Sequence, residues 1–140
     1  MLNRISVVII VITFNSEFNS FTLCILQFRT FCAFTMVKTC NTLAELKEEI
    51  LAAGDKLVVM DFFAEWCSPC RMMSPEIEKL ATQEKDVVFL KVDVVVNTEA
   101  AERFYINALP TFILIKDGAM IDEVLGAKLD QLKEAINKHK

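Results

Sequence analysis

From Val37 onward the chain alternates between two patterns: short, almost uniformly apolar runs, and stretches where apolar residues return every three or four positions. Leu57 to Phe63 and Val87 to Val92 are runs of strand length, and runs so uniformly apolar suit strands buried on both faces. Val37-Lys38-Thr39-Cys40 is a shorter strand. Leu43, Leu46 and Ile50 recur at helical spacing. Thr42, with Glu45 three residues on, opens that helix as a capping box, and Gly54 beside Asp55 closes it. Met73, Ile77, Leu80 and Ala81 make a second helical stripe, with Met72 and Met73 both read as core filler. Glu99 to Tyr105 is a short helix. Thr111 to Ile115 and Met120 to Leu125 flank Lys116-Asp117-Gly118-Ala119, and Asp-Gly between two apolar runs predicts a tight hairpin. Leu129, Leu132, Ala135 and Ile136 mark a last amphipathic helix. The order β-α-β-α-β-α-β-β-α, with a parallel start and an antiparallel end, predicts an α/β fold: a central mixed β-sheet flanked by helices on both faces.

Residues 1–35 do not share this pattern. They are rich in Phe, Ile, Val, Ser and Asn, and their only charges are Arg4, Glu17 and Arg29, a net +1 against −4 for the whole chain. The shift in composition predicts a boundary at Met36: an N-terminal apolar extension over 1–35, dispensable to the fold, and a domain over 36–140. Ile5 to Phe14 is far shorter than the ~20 apolar residues that span a bilayer. Arg4 before it raises a signal peptide as the alternative, although Phe14 and Phe18 stand where a cleavage site wants small residues. A chain of 140 residues can bury a core without staples, and its acidic balance argues against nucleic acid as a partner. Three glycines and three prolines exclude low-complexity linkers.

The five cysteines are an odd number, which is not a secreted disulfide framework. Only Cys67 and Cys70 are closely spaced, and they follow a predicted strand and open a predicted helix. A Cys-x-x-Cys at such a junction reads as a redox motif. Free N–H groups and the positive end of the helix dipole face Cys67 and favour its thiolate, the nucleophilic form. Two intervening residues let the second sulfur reach the first across one turn. Pro69 falls in the first turn, where its missing N–H does little harm. Half a zinc site is the competing reading, but a structural site needs four ligands, and the only histidine, His139, is at the frayed chain end. Two inert buried cysteines are the other; Cys40 is read that way. Asp61 interrupts the run Leu57–Phe63, so it is either a buried base or a hydrogen-bonded structural carboxylate. Lys91 taken alone reads as a solvated strand residue, Pro110 as a strand-start proline, and Gly126-Ala127 as a turn before the last helix.

Asp61-Phe62-Phe63-Ala64-Glu65-Trp66-Cys67-Ser68-Pro69-Cys70-Arg71 resembles the thioredoxin motif. The resemblance runs through 36–140: Met36-Val37-Lys38, Lys56-Leu57-Val58-Val59, Lys91-Val92-Asp93, Leu109-Pro110-Thr111-Phe112, Lys116-Asp117-Gly118 and Gly126-Ala127. It is greatest to the animal cytosolic members. It implies a thioredoxin-like fold and a protein-disulfide reductase that serves cell redox homeostasis. Cys67 would be the nucleophile and Cys70 the resolving thiol, closing a Cys67–Cys70 disulfide. Asp61 would deprotonate Cys70, and Lys91 would tune Asp61. Ser68 and Pro69 would tune the redox potential, with the Ser68 hydroxyl able to donate to the Cys67 thiolate. A cis peptide at Pro110 would free the Leu109 backbone to pair with an extended substrate. Trp66, Pro69, Leu109, Gly126 and Ala127 would form a flat apolar rim for substrate. Implied partners are disulfide-containing target proteins and thioredoxin reductase, which draws on NADPH. The chain has no Gly-rich nucleotide loop, so no bound cofactor and no metal are expected. The expected protein is a cytoplasmic monomer with no membrane association over 36–140, or a secreted one if 1–35 is a signal peptide. The chain departs from the family pattern in three places: Ser68 for Gly, Leu109 for Met or Ile, and Val94-Val95-Val96 for acidic residues. They bear on potential and partner preference. An oxidase or isomerase on the same fold, and a non-catalytic binding module, are the alternative functions.

Overall fold

The computed structural model describes residues 37–140, so the readings made of residues 1–35 lie outside the described residues. The elements are β1 (Val37–Thr39), α1 (Leu43–Ala53), β2 (Leu57–Phe63), α2 (Ser68–Gln83), β3 (Val87–Asp93), α3 (Thr98–Arg103), β4 (Thr111–Lys116), β5 (Ala119–Leu125) and α4 (Leu129–His139). The strands form one sheet in the order β1-β3-β2-β4-β5. β1, β3 and β2 are parallel, while β4 and β5 join antiparallel, giving the predicted mixed sheet.

Local chemistry sets the element ends. Thr42 caps α1 through its side chain, and Glu45 reaches back to the Thr42 N–H, so the capping box closes in both directions. The chain then leaves α1 through Gly54 at φ 62°. Asp117 and Gly118 both take positive φ, 53° and 74°, the pairing that a type I′ hairpin turn requires.

Strand alternation divides the core into two layers. Leu57 and Val59 of β2, Val87 and Phe89 of β3, and Phe112 and Leu114 of β4 pack with Met73, Ile77 and Leu80 of α2 and with Leu132 and Ile136 of α4. On the other face Val58, Met60 and Phe62 pack with Leu90, Val92, Ile113 and Ile115, and with Leu43 and Leu46 of α1 and Ala100 of α3. Burying each large side chain contributes roughly 1.5–3 kcal/mol. Period two also fixes where the chemistry falls. Asp61 continues the row of Leu57 and Val59, and Lys91 that of Val87 and Phe89, so both leave the sheet on the face that α2 covers.

Four expectations are corrected. The short helix begins at Thr98, where the Asn97 side chain caps it by accepting from the Ala100 N–H at 3.1 Å. It ends at Arg103, not Tyr105. Tyr105 turns left-handed at φ 53°, its N–H bonds the Glu102 carbonyl, and the Ile106 N–H bonds the Ala101 carbonyl, a Schellman closure. Met72 is not core filler: it is 69% exposed, because it sits about 100° around the helix from Met73, which is buried. His139 is not frayed either. α4 runs through it, its Nε2 lies 2.9 Å from Asp122 Oδ2, and its carbonyl accepts from Lys116 Nζ.

Candidate active site

The site grows from the junction of β2 and α2. β2 delivers the chain to Ala64, and Cys67 stands as the N-cap of α2, its Sγ accepting the Cys70 N–H at 3.2 Å. Ser68 and Pro69 are the first two helical residues, which suits a proline, since no helical partner exists there for its missing N–H. Cys67 and Cys70 are joined by a disulfide, S–S 2.04 Å, with Cα atoms 5.3 Å apart. Both are buried, and they cluster with Ala64 against Phe63, Val94 and Leu109.

The two sulfur-bearing residues line different spaces. Cys67 lines an outer groove of about 430 Å³ with Trp66, Ser68, Pro69, Val94 and Leu109, and Ile106, Asn107 and Ala108 complete its lining. Cys70 lines an inner cavity of about 200 Å³ with Asp61, Phe63, Ala64, Glu65, Arg71, Ser74 and Lys91. Trp66 is 71% exposed at the groove's rim.

Asp61 is 3% exposed and its Oδ1 has no hydrogen-bond partner. Burial pushes its carboxyl up from an ordinary 3.8 to about 7, and the Lys91 charge offsets only part of that rise. Asp61 and Lys91 are direct partners in the parallel ladder. The Lys91 ammonium donates to Ser74 Oγ at 2.6 Å and lies 5.1 Å from the centre of the Phe63 ring. Arg71 bridges the turn, donating to the Glu65 carbonyl at 2.8 Å and to Ser68 Oγ at 2.9 Å. The Ser68 oxygen is thus an acceptor for Arg71, and its hydroxyl hydrogen remains to be donated elsewhere.

The other expected site residues are only partly assembled here. The Leu109–Pro110 bond is cis. Leu109 lines the groove, whereas Pro110 is buried behind it and accepts the Gly126 N–H at 2.8 Å. Gly126 and Ala127 are not among the residues lining the groove. Val94, flagged in the sequence only as a departure from the family pattern, lines it; Ile106, Asn107 and Ala108 line it without having been singled out from sequence, as do Ser74, Arg71, Glu65 and Phe63 in the cavity. Ser74 carried one signal, its place four residues beyond Cys70 on one helix face. Cys40 is free and fully buried, and its thiol is pushed up to about 11, first by burial and then by Glu49, so it stays protonated and unreactive.

This arrangement can cycle a disulfide. It offers one cysteine at a helix N-terminus lining an open groove, and a second lining a cavity with a carboxyl whose pKa burial raises to about 7. A family model described as Thioredoxin matches residues 37–138. The chain is 40% identical over 105 residues to Thioredoxin H5 of Arabidopsis thaliana, covering 74% of this chain and 89% of that protein. It is 45% identical over 106 residues to Thioredoxin of Geodia cydonium, covering 75% of this chain and 100% of that one. The structure of Fasciola hepatica thioredoxin matches with a TM-score of 0.73 at 44% identity, over 74% of this chain and 99% of that one. With its cysteine pair at the mouth of α2 and the family match running from β1 to α4, this chain belongs to the thioredoxin family of protein-disulfide oxidoreductases.

Proposed function

We propose that the disulfide reductase activity divides between the two spaces, Cys67 attacking in the outer groove and Cys70 resolving from the inner cavity. The Cys67 thiolate attacks one sulfur of a target protein's disulfide. A Cys67–target bond forms, and the target's other sulfur leaves as a thiolate and takes a proton from water. Asp61 accepts the Cys70 proton, directly or through a water in the cavity. The Cys70 thiolate then attacks Cys67 Sγ, the mixed bond breaks, the second target sulfur leaves as a thiolate and takes a proton from water, and the target departs as a dithiol. Two electrons have moved to the target, and the Cys67–Cys70 disulfide remains. Trp66 and Leu109 hold the target along the groove, and Pro110 with Gly126 and Ala127 braces the far side. The observation that carries this division is that Cys67 lines the groove and Cys70 lines the cavity with Asp61.

The reading extends to recycling. An NADPH-dependent thioredoxin reductase returns two electrons to the Cys67–Cys70 disulfide, and the chain works as a monomer over 36–140 in a reducing, cytoplasmic setting, maintaining cell redox homeostasis. The open groove supports a protein as the electron donor, since it leaves room for a partner surface beside Cys67. The test is trapping. Cys70→Ser removes the resolving thiol and should accumulate mixed disulfides with target proteins, while Cys67→Ser should accumulate none. Non-reducing gels of both variants in lysate read the result, and equal trapping by the two sinks the assignment.

A further inference from the structure

A carboxylate and an ammonium on directly opposed residues of adjacent strands, about 5 Å apart at the backbone, ordinarily close an ion pair. Asp61 and Lys91 are so opposed, on the same face of the sheet, yet no ion pair between them occurs among the described residues. The Asp61 Oδ1 is left without a partner. The Lys91 ammonium is taken up elsewhere: Ser74 Oγ accepts from it at 2.6 Å, and the Phe63 ring lies beneath it at 5.1 Å. Ser74 is one turn beyond Cys70 on α2, so the helix that carries the resolving sulfur also carries the hydroxyl that holds the lysine. All of these residues line one cavity. The other charged groups there are Glu65, whose carbonyl accepts from Arg71, and Arg71 itself, whose guanidinium is committed to that carbonyl and to Ser68 Oγ.

We propose that Ser74 is a positioning residue for proton transfer at Cys70: its hydroxyl holds the Lys91 ammonium off Asp61, so the carboxyl stays able to take up the Cys70 proton instead of being locked as an ion-paired carboxylate. This rests on the reading of Asp61 as the base. Without the hydroxyl, the flexible lysine swings to the unpartnered Asp61 oxygen, and the closer positive charge stabilises the ionised form. The carboxyl then titrates lower and becomes a weaker base.

Two measurements on the full chain test it. The first follows the Asp61 carboxyl by carbon-13 NMR in oxidised protein labelled at aspartate. In Ser74→Ala its midpoint should fall by about one pH unit. Ser74→Thr, which keeps the hydroxyl, should hold the wild-type midpoint. In a Lys91→Met background, Ser74→Ala should shift nothing, because the charge being positioned is gone. The second follows the pH profile of disulfide turnover, whose acid limb should move down with the carboxyl. An unmoved carboxyl in Ser74→Ala, or a shift that survives Lys91→Met, overturns the role of Ser74 and leaves Asp61 as the base. A moved carboxyl with an unmoved turnover profile overturns Asp61 as the base, and the link from Ser74 to Cys70 with it.

Discussion

Replacing Asp61 by Asn should stabilise the oxidised protein, and the size of the gain should depend on pH in a defined way. Asp61 is held at about 7 in the fold and returns to an ordinary 3.8 on unfolding. Below pH 3.8 both states hold the proton and its ionisation costs nothing. Between the two values the unfolded chain has released its proton while the fold still binds it, so stability falls as pH rises. Above pH 7 the fold must carry a buried carboxylate, and the accumulated cost is about 4 kcal/mol at 1.36 kcal/mol per pH unit. An amide of nearly the same volume carries no such charge. The gap between variant and parent should therefore be near zero at pH 4, about 2 kcal/mol near pH 5.5, and about 4 kcal/mol at pH 8. Urea melts of the oxidised proteins at those three pH values measure it. With a slope of about 2 kcal/mol per molar, the midpoints should separate by about 2 M at pH 8. A gap equal at pH 4 and pH 8, or a variant less stable than its parent at pH 8, would falsify the assignment of that cost to a buried carboxylate.

Tyr105 holds a left-handed backbone at the end of α3 and is 85% exposed, so it bears a conformational cost with little packing in return. Tyr105→Gly should raise stability by about 0.5–1 kcal/mol, or about 2–5 °C in a thermal melt, with reductase activity unchanged; a lower melting temperature contradicts the strain. Ser68 links Arg71 to the cysteine turn. Ser68→Gly should remove a donor to the Cys67 thiolate and make the protein more reducing by about 10–30 mV, with Arg71→Met moving the potential the same way by less. Equilibration in glutathione buffers reads the potential, and movement toward more oxidising values refutes the link.

The strands and most helices were legible because the residues that make them also end them. Thr42 with Glu45, Gly54, and Asp117-Gly118 each state a backbone geometry in the sequence itself. The short helix was misplaced for a related reason. Val94-Val95-Val96 masks the Asn97 cap, and the apolar pattern continues through Phe104 and Tyr105 after the backbone has already turned left-handed. Phe104 still packs on the sheet, 5.6 Å from Phe62 between ring centroids, so hydrophobicity alone could not mark the helix end. Met72 misled because two consecutive methionines look alike in sequence, whereas a helix turns the second by about 100°.

The site divides along the same line. Cys67 and its helix N-terminus are a local fact, readable from a strand followed by Cys-x-x-Cys. What separates Cys67 from Cys70 is not local. The groove beside Cys67 needs Ile106 to Leu109, and the cavity beside Cys70 needs Lys91, residues brought in by other strands and loops. Asp61 could be flagged as a carboxyl in an apolar run, but its charge state depends on where the Lys91 ammonium points. That direction is set by Ser74, a helix serine whose one mark in the sequence is its place four residues beyond Cys70. Only the register of β2 on β3, together with α2 lying over both, brings three unremarkable spacings to one cavity. Two chemically identical thiols three residues apart can then take different parts in one reaction, because the sheet presents a buried acid to one of them and the surface presents a groove to the other.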